Sequence, residues 1–358
     1  MPYIKGLNGL RAIAVLMVLA SHKFGIGQRL ALGGAGVRLF FVLSGFLIIG
    51  ILHQRRGAVE REPATWRSEL VRFYENRLYR IWPAYYLLIG VALVLGLTGL
   101  TPRLTGEQVL ATATFTSNFF QAYGWDDYPY GIGQLWSVAV EEQFYLWAAP
   151  CFLLLSRRMH GHICAGVICL AVAASVGHAL FDTSVRPAYV GSLTNFGYMA
   201  LGGLAVLTRW RERRWARFAP LILAVFLISP VAAYLLNREA APGIIVNALA
   251  PILVAPVLLG ITAKQDAIIV RLLELRWLRY LGEISYGLYL YHNLIEFRAW
   301  NIPGRYVGVL EIVVTIAVAA ASFRWLERPL LQARDRRRQR AIEHGAAVTA
   351  AGLVPTGT

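Results

Sequence analysis

The sequence predicts an all-α membrane protein, a polytopic bundle of about ten transmembrane helices with both termini in the cytoplasm. Of its 358 residues, 57% are hydrophobic and only 15% are charged, whereas soluble domains carry about 25% charged residues. The mean hydropathy is +0.52. Apolar runs recur along most of the chain. We therefore expect one membrane domain over residues 1–330 and a basic, disordered cytoplasmic tail over residues 331–358.

Apolar runs bounded by charged residues predict the individual helices, since about 20 apolar residues are needed to cross a bilayer. The predicted helices cover residues 7–24, 34–53, 80–100, 132–156, 163–181, 188–208, 218–236, 244–263, 280–297 and 306–325.

The arginine content of the connecting segments tests this assignment, because cytoplasmic loops carry an excess of Lys and Arg. The segments after the second, fourth, sixth and eighth predicted helices are rich in arginine, and the segments between them are poor in it. This alternation places both termini in the cytoplasm. The first apolar run also resembles a cleaved signal peptide, but cleavage would remove a helix that the alternation requires.

The formal net charge of +15 could indicate a nucleic-acid partner. The positive residues, however, lie in short segments between apolar runs, which membrane topology explains better, so we predict a lipid bilayer and no nucleic acid. Cys151, Cys164 and Cys169 lie in or beside predicted spans and form no metal-ligand spacing. The sequence therefore predicts neither a disulfide framework nor a metal site.

Ionisable side chains inside the spans are the main candidates for function, because each costs about 2.5–3.5 kcal/mol to insert at the bilayer centre. Arg11 and His22 lie on one stripe of the first helix, about 20° apart in direction and roughly 16 Å apart in height. Histidine can accept and return a proton near neutral pH, as general acid–base catalysis requires. His22 could equally cap the end of the helix.

A second group lies in LWSVAVEEQFYL, where Ser137 and Glu141 share a helix face and Glu142 follows directly. Two adjacent carboxylates within a span indicate function, although they could also pair with Arg11 or Arg38 and only hold helices together.

Three further segments carry candidates with a plain structural alternative. In FYENRLYRIWP, the guanidinium groups of Arg77 and Arg80 suit phosphates, but positive-inside bias also explains them. In LGEISYGLYLYH, Tyr289 and His292 share one face of a helix, but they could also belong to the belt of aromatic residues at the membrane–water interface. In FFVLSGF, Ser44 and Gly45 resemble small residues that let helices pack closely.

Taken together and in this order, the segments resemble the acyltransferase-3 family of membrane O-acyltransferases. The opening NGLRAIAVLMVLASH, then FFVLSGF, FYENRLYRIWP, FTSNFF, LWSVAVEEQFYL, LGEISYGLYLYH and the terminal RWLERP carry the resemblance, which runs from about residue 7 to residue 329. Asn8 departs from the aspartate that many members have in the opening motif, and Lys23 directly follows the histidine. Both changes put acceptor contacts nearby in doubt.

The resemblance implies an acyl-CoA-dependent enzyme that transfers an acyl group, most commonly acetyl, to a sugar or glycan hydroxyl. Acyl-CoA is a donor substrate and no resident cofactor is implied. The predicted catalytic residues are His22, Glu141 and Glu142, and the resemblance supplies the first two. The predicted substrate-binding residues, of which the first, fourth, fifth and seventh match family motifs, are Arg11, Arg38, Ser44, Arg77, Arg80, Asn118, Ser137, Tyr289 and His292. A bacterial inner membrane and a stand-alone domain, without the SGNH-type domain of some members, are also expected.

Our hypothesis from the sequence is that His22 removes the acceptor proton while Glu141 or Glu142 orients its imidazole. The arginines would hold the donor phosphates. Direct transfer and an acyl-histidine intermediate both fit, and the sequence names neither the acyl group, nor the acceptor, nor the oligomeric state. A transporter or flippase would use the same residues to bind substrate or relay protons. The absence of a visible internal repeat disfavours a transporter built from inverted halves.

Overall fold

The structure, a computed structural model, describes residues 3–24, 29–30, 32–124, 131–181, 189–208, 217–236, 249–296 and 306–352. Over these ranges the chain is helical and contains no strand, so the predicted all-α class is confirmed. Most of the arginine-rich segment after the sixth predicted helix lies outside the described residues, as do the first residues of the eighth predicted helix, the end of the ninth and residues 353–358.

The α-helices follow one another as α1 (Leu7–Lys23), α2 (Leu32–Arg61), α3 (Trp66–Leu97), α4 (Gly106–Ala113), α5 (Ser117–Tyr123), α6 (Trp136–Leu154), α7 (His160–Phe181), α8 (Ser192–Leu207), α9 (Ala219–Leu235), α10 (Val254–Ala263), α11 (Ile268–Leu273), α12 (Arg276–Glu283), α13 (Ser285–Tyr291), α14 (Val307–Ser322) and α15 (Arg328–Gly352). Short 3-10 turns occupy Pro63–Thr65, Gly133–Leu135, Arg157–Met159 and Ala250–Leu253, and a π-helical turn at Phe323–Glu327 joins α14 to α15.

Several helices have the length and composition of membrane spans. Within the described residues, four segments are long and apolar enough to cross a bilayer, namely Leu32–Arg61, Pro63–Leu97, Arg157–His178 and Val307–Arg340. Large apolar side chains are exposed on the outer faces of the bundle, including Leu87 on α3, Ile228 on α9 and Val313 on α14. Apolar surface on this scale fits contact with lipid rather than water.

Most predicted helices agree with the structure to within a few residues, but the third begins much earlier than predicted. α3 starts at Trp66 rather than residue 80, so Pro83 lies inside the helix and not in its first turn. The prediction stopped where charged residues begin. Arg, Glu and Leu are good helix formers, and the helix therefore continues beyond its apolar part.

The prediction of one continuous helix over residues 280–297 is wrong. The chain forms α12 and α13 with a break at Ile284, whose φ of −91° and ψ of 7° interrupt the helical hydrogen-bond ladder. Contacts with α1 lie on both sides of this break. Gly282 packs against the backbone of Asn8, and Ser285 accepts a hydrogen bond from Arg11. We infer that close packing on α1 bends the chain here.

Four α-helices had not been predicted, namely α4, α5, α11 and α15. α4 begins with a capping box in which Thr105 and Gln108 bond each other's backbone N–H groups, a T-x-x-Q pattern that is readable in the sequence. α15 occupies residues 328–352, where a disordered tail was predicted. It is anchored to α3, because Arg338 donates hydrogen bonds to Glu75 at 2.6 Å and to Asn76 at 2.8 Å.

The core forms around α1 and α2. α1 packs against α2 and α12, and α2 also packs against α6 and α8. Small residues allow this close approach, as the sequence suggested for Gly45. A methyl group on Gly45 would overlap the backbone of Met199 on α8, and one on Gly202 would overlap the backbone of Val42 on α2.

We predict that Gly45→Ala destabilises the protein by about 1–3 kcal/mol, the usual cost of overpacking. The measurement is the melting temperature of the purified protein in detergent. Gly90→Ala is the matched control, because a methyl group there meets open space on α3. An unchanged melting temperature for Gly45→Ala would contradict the close α2–α8 contact.

Candidate functional site

A cavity, partly open to the surroundings, lies inside the bundle between α1, α2, α3, α6 and α13. Seven of the residues predicted from the sequence line it, namely Arg11, Ser44, Arg77, Arg80, Ser137, Glu141 and Tyr289. Apolar side chains from α2, such as Phe40 and Leu47, form much of the remaining wall. The cavity therefore combines an apolar surface with a few polar groups, as ligand sites usually do.

One part of the cavity is strongly cationic. The Nε of Arg11 donates to the Oγ of Ser285 at 3.1 Å. Arg77 lies over the rings of Phe73 and Tyr145, and its buried Nε has no hydrogen-bond partner among the described residues. Arg80 likewise forms no hydrogen bond or ion pair with them. Most of the guanidinium N–H groups are therefore available to an anion.

Glu141 lies among these arginines. Its carboxylate accepts hydrogen bonds from Ser44 at 2.7 Å and from Tyr145 at 3.1 Å, and it interacts electrostatically with Arg11 and Arg77. His22 lies roughly 16 Å farther along α1 than Arg11. The expected contact between Glu141 and His22 is therefore not formed.

Glu142 points to another neighbour. One of its oxygens accepts a hydrogen bond from Trp82 on α3 at 3.3 Å, and the other is buried without a partner among the described residues. It does not line the cavity. The hydrogen bonds of both glutamates among the described residues go to other partners, so neither glutamate orients His22 in this structure.

Ser137 and Tyr289 lie in the same cavity wall, and the ring of Tyr289 also contacts that of His292. The Oγ of Ser137 donates to the Tyr289 hydroxyl at 2.6 Å, and that hydroxyl donates to the backbone carbonyl of Gln134 at 3.1 Å. The ring of Tyr289 also meets Phe40 edge-on, with ring centroids 6.1 Å apart. These contacts tie α6 to α13 and fix the position of Tyr289.

Beyond Tyr289 the structure brings together two histidines. His22 is exposed at the end of α1, and its ring centroid lies 4.8 Å from that of the fully buried His292. The His292 Nδ1 lies 2.6 Å from the backbone carbonyl of Tyr289. Tyr289 thus connects the cavity to the histidine pair.

Besides His292, two predicted substrate-binding residues, Arg38 and Asn118, lie outside the cavity. Arg38 stacks on the rings of Tyr189 and Tyr198, at 5.6 and 5.7 Å from their centroids. Asn118 is fully buried, donates to Ser192 at 2.9 Å and accepts from Gln143 at 2.8 Å, so it links α5 to α6 and α8. Both contribute to packing in this structure.

The cavity also contains residues that sequence reasoning missed. Tyr145 could have been found, since it follows Glu141 by one helical turn. Ser285 and Tyr286 reach the wall through the break at Ile284, which the sequence did not reveal. Glu327, in the π-helical turn, does not line the cavity, but it accepts a hydrogen bond from Ser322 at 3.2 Å and interacts electrostatically with Arg80.

A buried ion pair holds the end of α1 next to His22. The Nζ of Lys23 lies 3.4 Å from a Glu311 carboxylate oxygen on α14 and donates to the Ile295 carbonyl at 2.7 Å. Both side chains are almost completely buried, at 1% and 2% exposure. The unusual lysine after the histidine therefore acts as an anchor between α1, the segment after α13, and α14.

We predict that Glu311→Leu destabilises the protein by about 3–5 kcal/mol, because it leaves the Lys23 ammonium buried without its counter-charge. The double variant Lys23→Met, Glu311→Leu should recover most of this loss, since an apolar pair replaces both charges. Melting temperatures in detergent measure the effect. Equal destabilisation by the single and double variants would contradict the assigned pairing.

The fold and site define an integral membrane protein with an arginine-rich cavity inside its helix bundle. The chain belongs to the acyltransferase-3 family, since the family described as "Acyltransferase domain" matches residues 4–323.

The alignments with three similar proteins each cover 92% of this chain. A candidate peptidoglycan O-acetyltransferase of Bacillus subtilis (strain 168), YrhL, is 30% identical over 376 residues. The peptidoglycan O-acetyltransferase OatA of Listeria monocytogenes is 27% identical over 362 residues, and the O-acetyltransferase OatA of Staphylococcus aureus (strain NCTC 8325 / PS 47) is 26% identical over 363 residues. The chain spans only 55–57% of their lengths. No solved structure matches the chain significantly.

Proposed function

We propose that this chain is a membrane O-acetyltransferase that takes an acetyl group from acetyl-CoA and transfers it to a hydroxyl group of a cell-envelope glycan. The observation that carries the proposal is the cavity itself, which holds Arg11, Arg77 and Arg80 and has Tyr289 in its wall. The ring of Tyr289 contacts His292, which in turn contacts His22.

The arginines support the choice of donor. Three guanidinium groups share one cavity, and among the described residues Glu141 is the single acidic residue in its lining. Charged groups in a low-dielectric bundle are costly unless they meet counter-charges, so an anionic ligand would stabilise this site. Coenzyme A carries phosphates for such contacts, and its extended pantetheine arm suits a thioester that must react some distance away.

His22 supports the choice of reaction. As the acceptor oxygen attacks the thioester carbonyl, the imidazole of His22 takes the hydroxyl proton. The carbon–sulfur bond then breaks, the ester forms, and the thiolate leaves with the proton that His22 returns. An exposed histidine at the far end of α1 is accessible to an acceptor that does not enter the cationic part of the cavity.

Several arginine-rich segments lie together at one end of the bundle, which supports a cytoplasmic entrance for the donor. Arg56 at the end of α2 donates to the Leu153 carbonyl at the end of α6, and Arg338 of α15 contacts Glu75 near the start of α3. These arginine-rich segments lie at the end of the bundle that holds Arg77 and Arg80. By the positive-inside rule this end faces the cytoplasm, with both termini, and His22 faces the opposite side.

The names of the relatives support the acceptor class. Two of the three are peptidoglycan O-acetyltransferases by name, one of them only as a candidate. A glycan outside a bacterial inner membrane would meet the exposed end of α1. We therefore propose peptidoglycan fragments as the first acceptors to test, with acetyl-CoA as the donor.

We predict that His22→Ala reduces acetyl transfer by about 10²–10⁴-fold, the usual contribution of a general base. The measurement is thiol release from acetyl-CoA by purified protein, with and without muropeptides. His162→Ala, which removes an exposed histidine on α7, is the matched control and should leave the rate unchanged. Thiol release that is equally fast without His22 would contradict its role. Uptake of an intact substrate without thiol release would favour a transporter.

We predict that Arg80→Ala raises the KM for acetyl-CoA by about 10- to 100-fold, because it removes charge-assisted hydrogen bonds to the donor. Arg80→Lys should recover only part of the affinity, since an ammonium group cannot bind two phosphate oxygens in the same forked way. The exposed Arg72 on the same helix supplies the control variant Arg72→Ala. A KM unchanged by the loss of Arg80 would refute the donor site.

A further inference from the structure

His292 has an unusual set of properties for a buried side chain. It is completely buried, and its Nε2 atom has no hydrogen-bond partner among the described residues. Buried polar atoms in folded proteins are nearly always bonded, so each exception calls for an explanation. The ring of His22 lies beside it, inclined by 63° with the centroids 4.8 Å apart.

The tautomer of His292 follows from its other nitrogen. Nδ1 lies 2.6 Å from the Tyr289 backbone carbonyl, and a carbonyl oxygen can only accept. Nδ1 therefore carries the proton. In a neutral imidazole the remaining nitrogen, Nε2, is then an acceptor with its lone pair available.

The other groups around the pair already have defined partners. The Lys23 ammonium bonds the Glu311 carboxylate and the Ile295 carbonyl. The Tyr289 hydroxyl bonds Ser137 and the Gln134 carbonyl. Within the part of the chain that the structure describes, no carboxylate bonds either histidine. The ring N–H of His22 is therefore the donor best placed to reach Nε2 of His292.

We propose that His292 is a positioning residue for His22, accepting a hydrogen bond at Nε2 from the ring N–H of His22. This role deepens the proposed function and rests on it. A small rotation of His22, the more exposed ring, would form the bond. The bond would fix the tautomer of His22, direct its other nitrogen toward the acceptor hydroxyl, and stabilise the ring while it holds the transferred proton. Glu141 was expected to serve this purpose but lies among the arginines.

Two variants separate this role from a purely structural one. His292→Leu keeps an apolar side chain in the buried site and removes the acceptor, whereas His292→Gln retains an amide oxygen near the Nε2 position. We expect Leu to lower kcat for acetyl transfer to muropeptides about 10- to 100-fold, as is common when a supporting partner is lost. The KM for acetyl-CoA should stay unchanged, and Gln should restore much of kcat.

The dependence on His22 gives a sharper test. If His292 acts through His22, then His292→Leu has no further effect on the residual rate of the His22→Ala protein. The proposal is overturned if His292→Leu keeps full kcat. The proposal is also overturned if His292→Leu lowers the rate equally in the wild-type and His22→Ala proteins. The same holds if the loss of kcat accompanies a fall in melting temperature that His292→Gln does not restore.

A second readout does not need acetyl transfer. Diethyl pyrocarbonate modifies neutral imidazole nitrogens, and mass spectrometry of α1 peptides reports the rate at His22. At a fixed alkaline pH we expect His292→Leu to slow this modification about fivefold, the effect of losing one ordinary hydrogen bond, with His162 as the internal control. An unchanged rate at His22 overturns the proposal. If the wild-type protein shows no acetyl transfer but His292→Leu still slows the modification of His22, only the proposed function is refuted.

Discussion

The placement of three guanidinium groups inside an apolar helix bundle is the constraint on which the rest of this structure depends. Arg11, Arg77 and Arg80 line one cavity, and ionisable groups within a membrane are retained only at a cost. Several features offset that cost within the protein, including the carboxylates of Glu141 and Glu327 and the rings of Phe73 and Tyr145. These features balance the charge only in part, which is why an anionic donor is central to the proposed function.

α1 fixes the distance between Arg11 in the cationic cavity and His22, because both residues lie on this one helix. It is buried on most of its surface, so its height and rotation are set by neighbours on several sides. Gly282 and Ser285 contact its first half, and the ion pair between Lys23 and Glu311 holds its end. Anchoring at both ends would keep His22 in register with a donor held roughly 16 Å away.

The sequence predicted much of the fold and of the site for one shared reason, the cost of placing charge in apolar surroundings. Apolar runs located most helices, and charged residues inside those runs identified Arg11 and Glu141. The segment FYENRLYRIWP supplied Arg77 and Arg80, and the cavity brings all four residues together. The direction in which each side chain points was harder to predict. The partner of Glu141 depends on how α2 and α6 rotate against each other, and the sequence does not record that rotation. Asn118 was predicted as a site residue from its motif, but its hydrogen bonds hold α5 to α6 and α8.

The central claim is that donor and acceptor react across the membrane along one path from the arginines to His22. Its most direct test uses proteoliposomes with muropeptides trapped inside and acetyl-CoA, radiolabelled on the acetyl group, added outside. The account predicts acetylated muropeptides inside and free coenzyme A outside, with no acetyl-CoA in the lumen. Transfer only when donor and acceptor share one side, or uptake of intact acetyl-CoA, would contradict it.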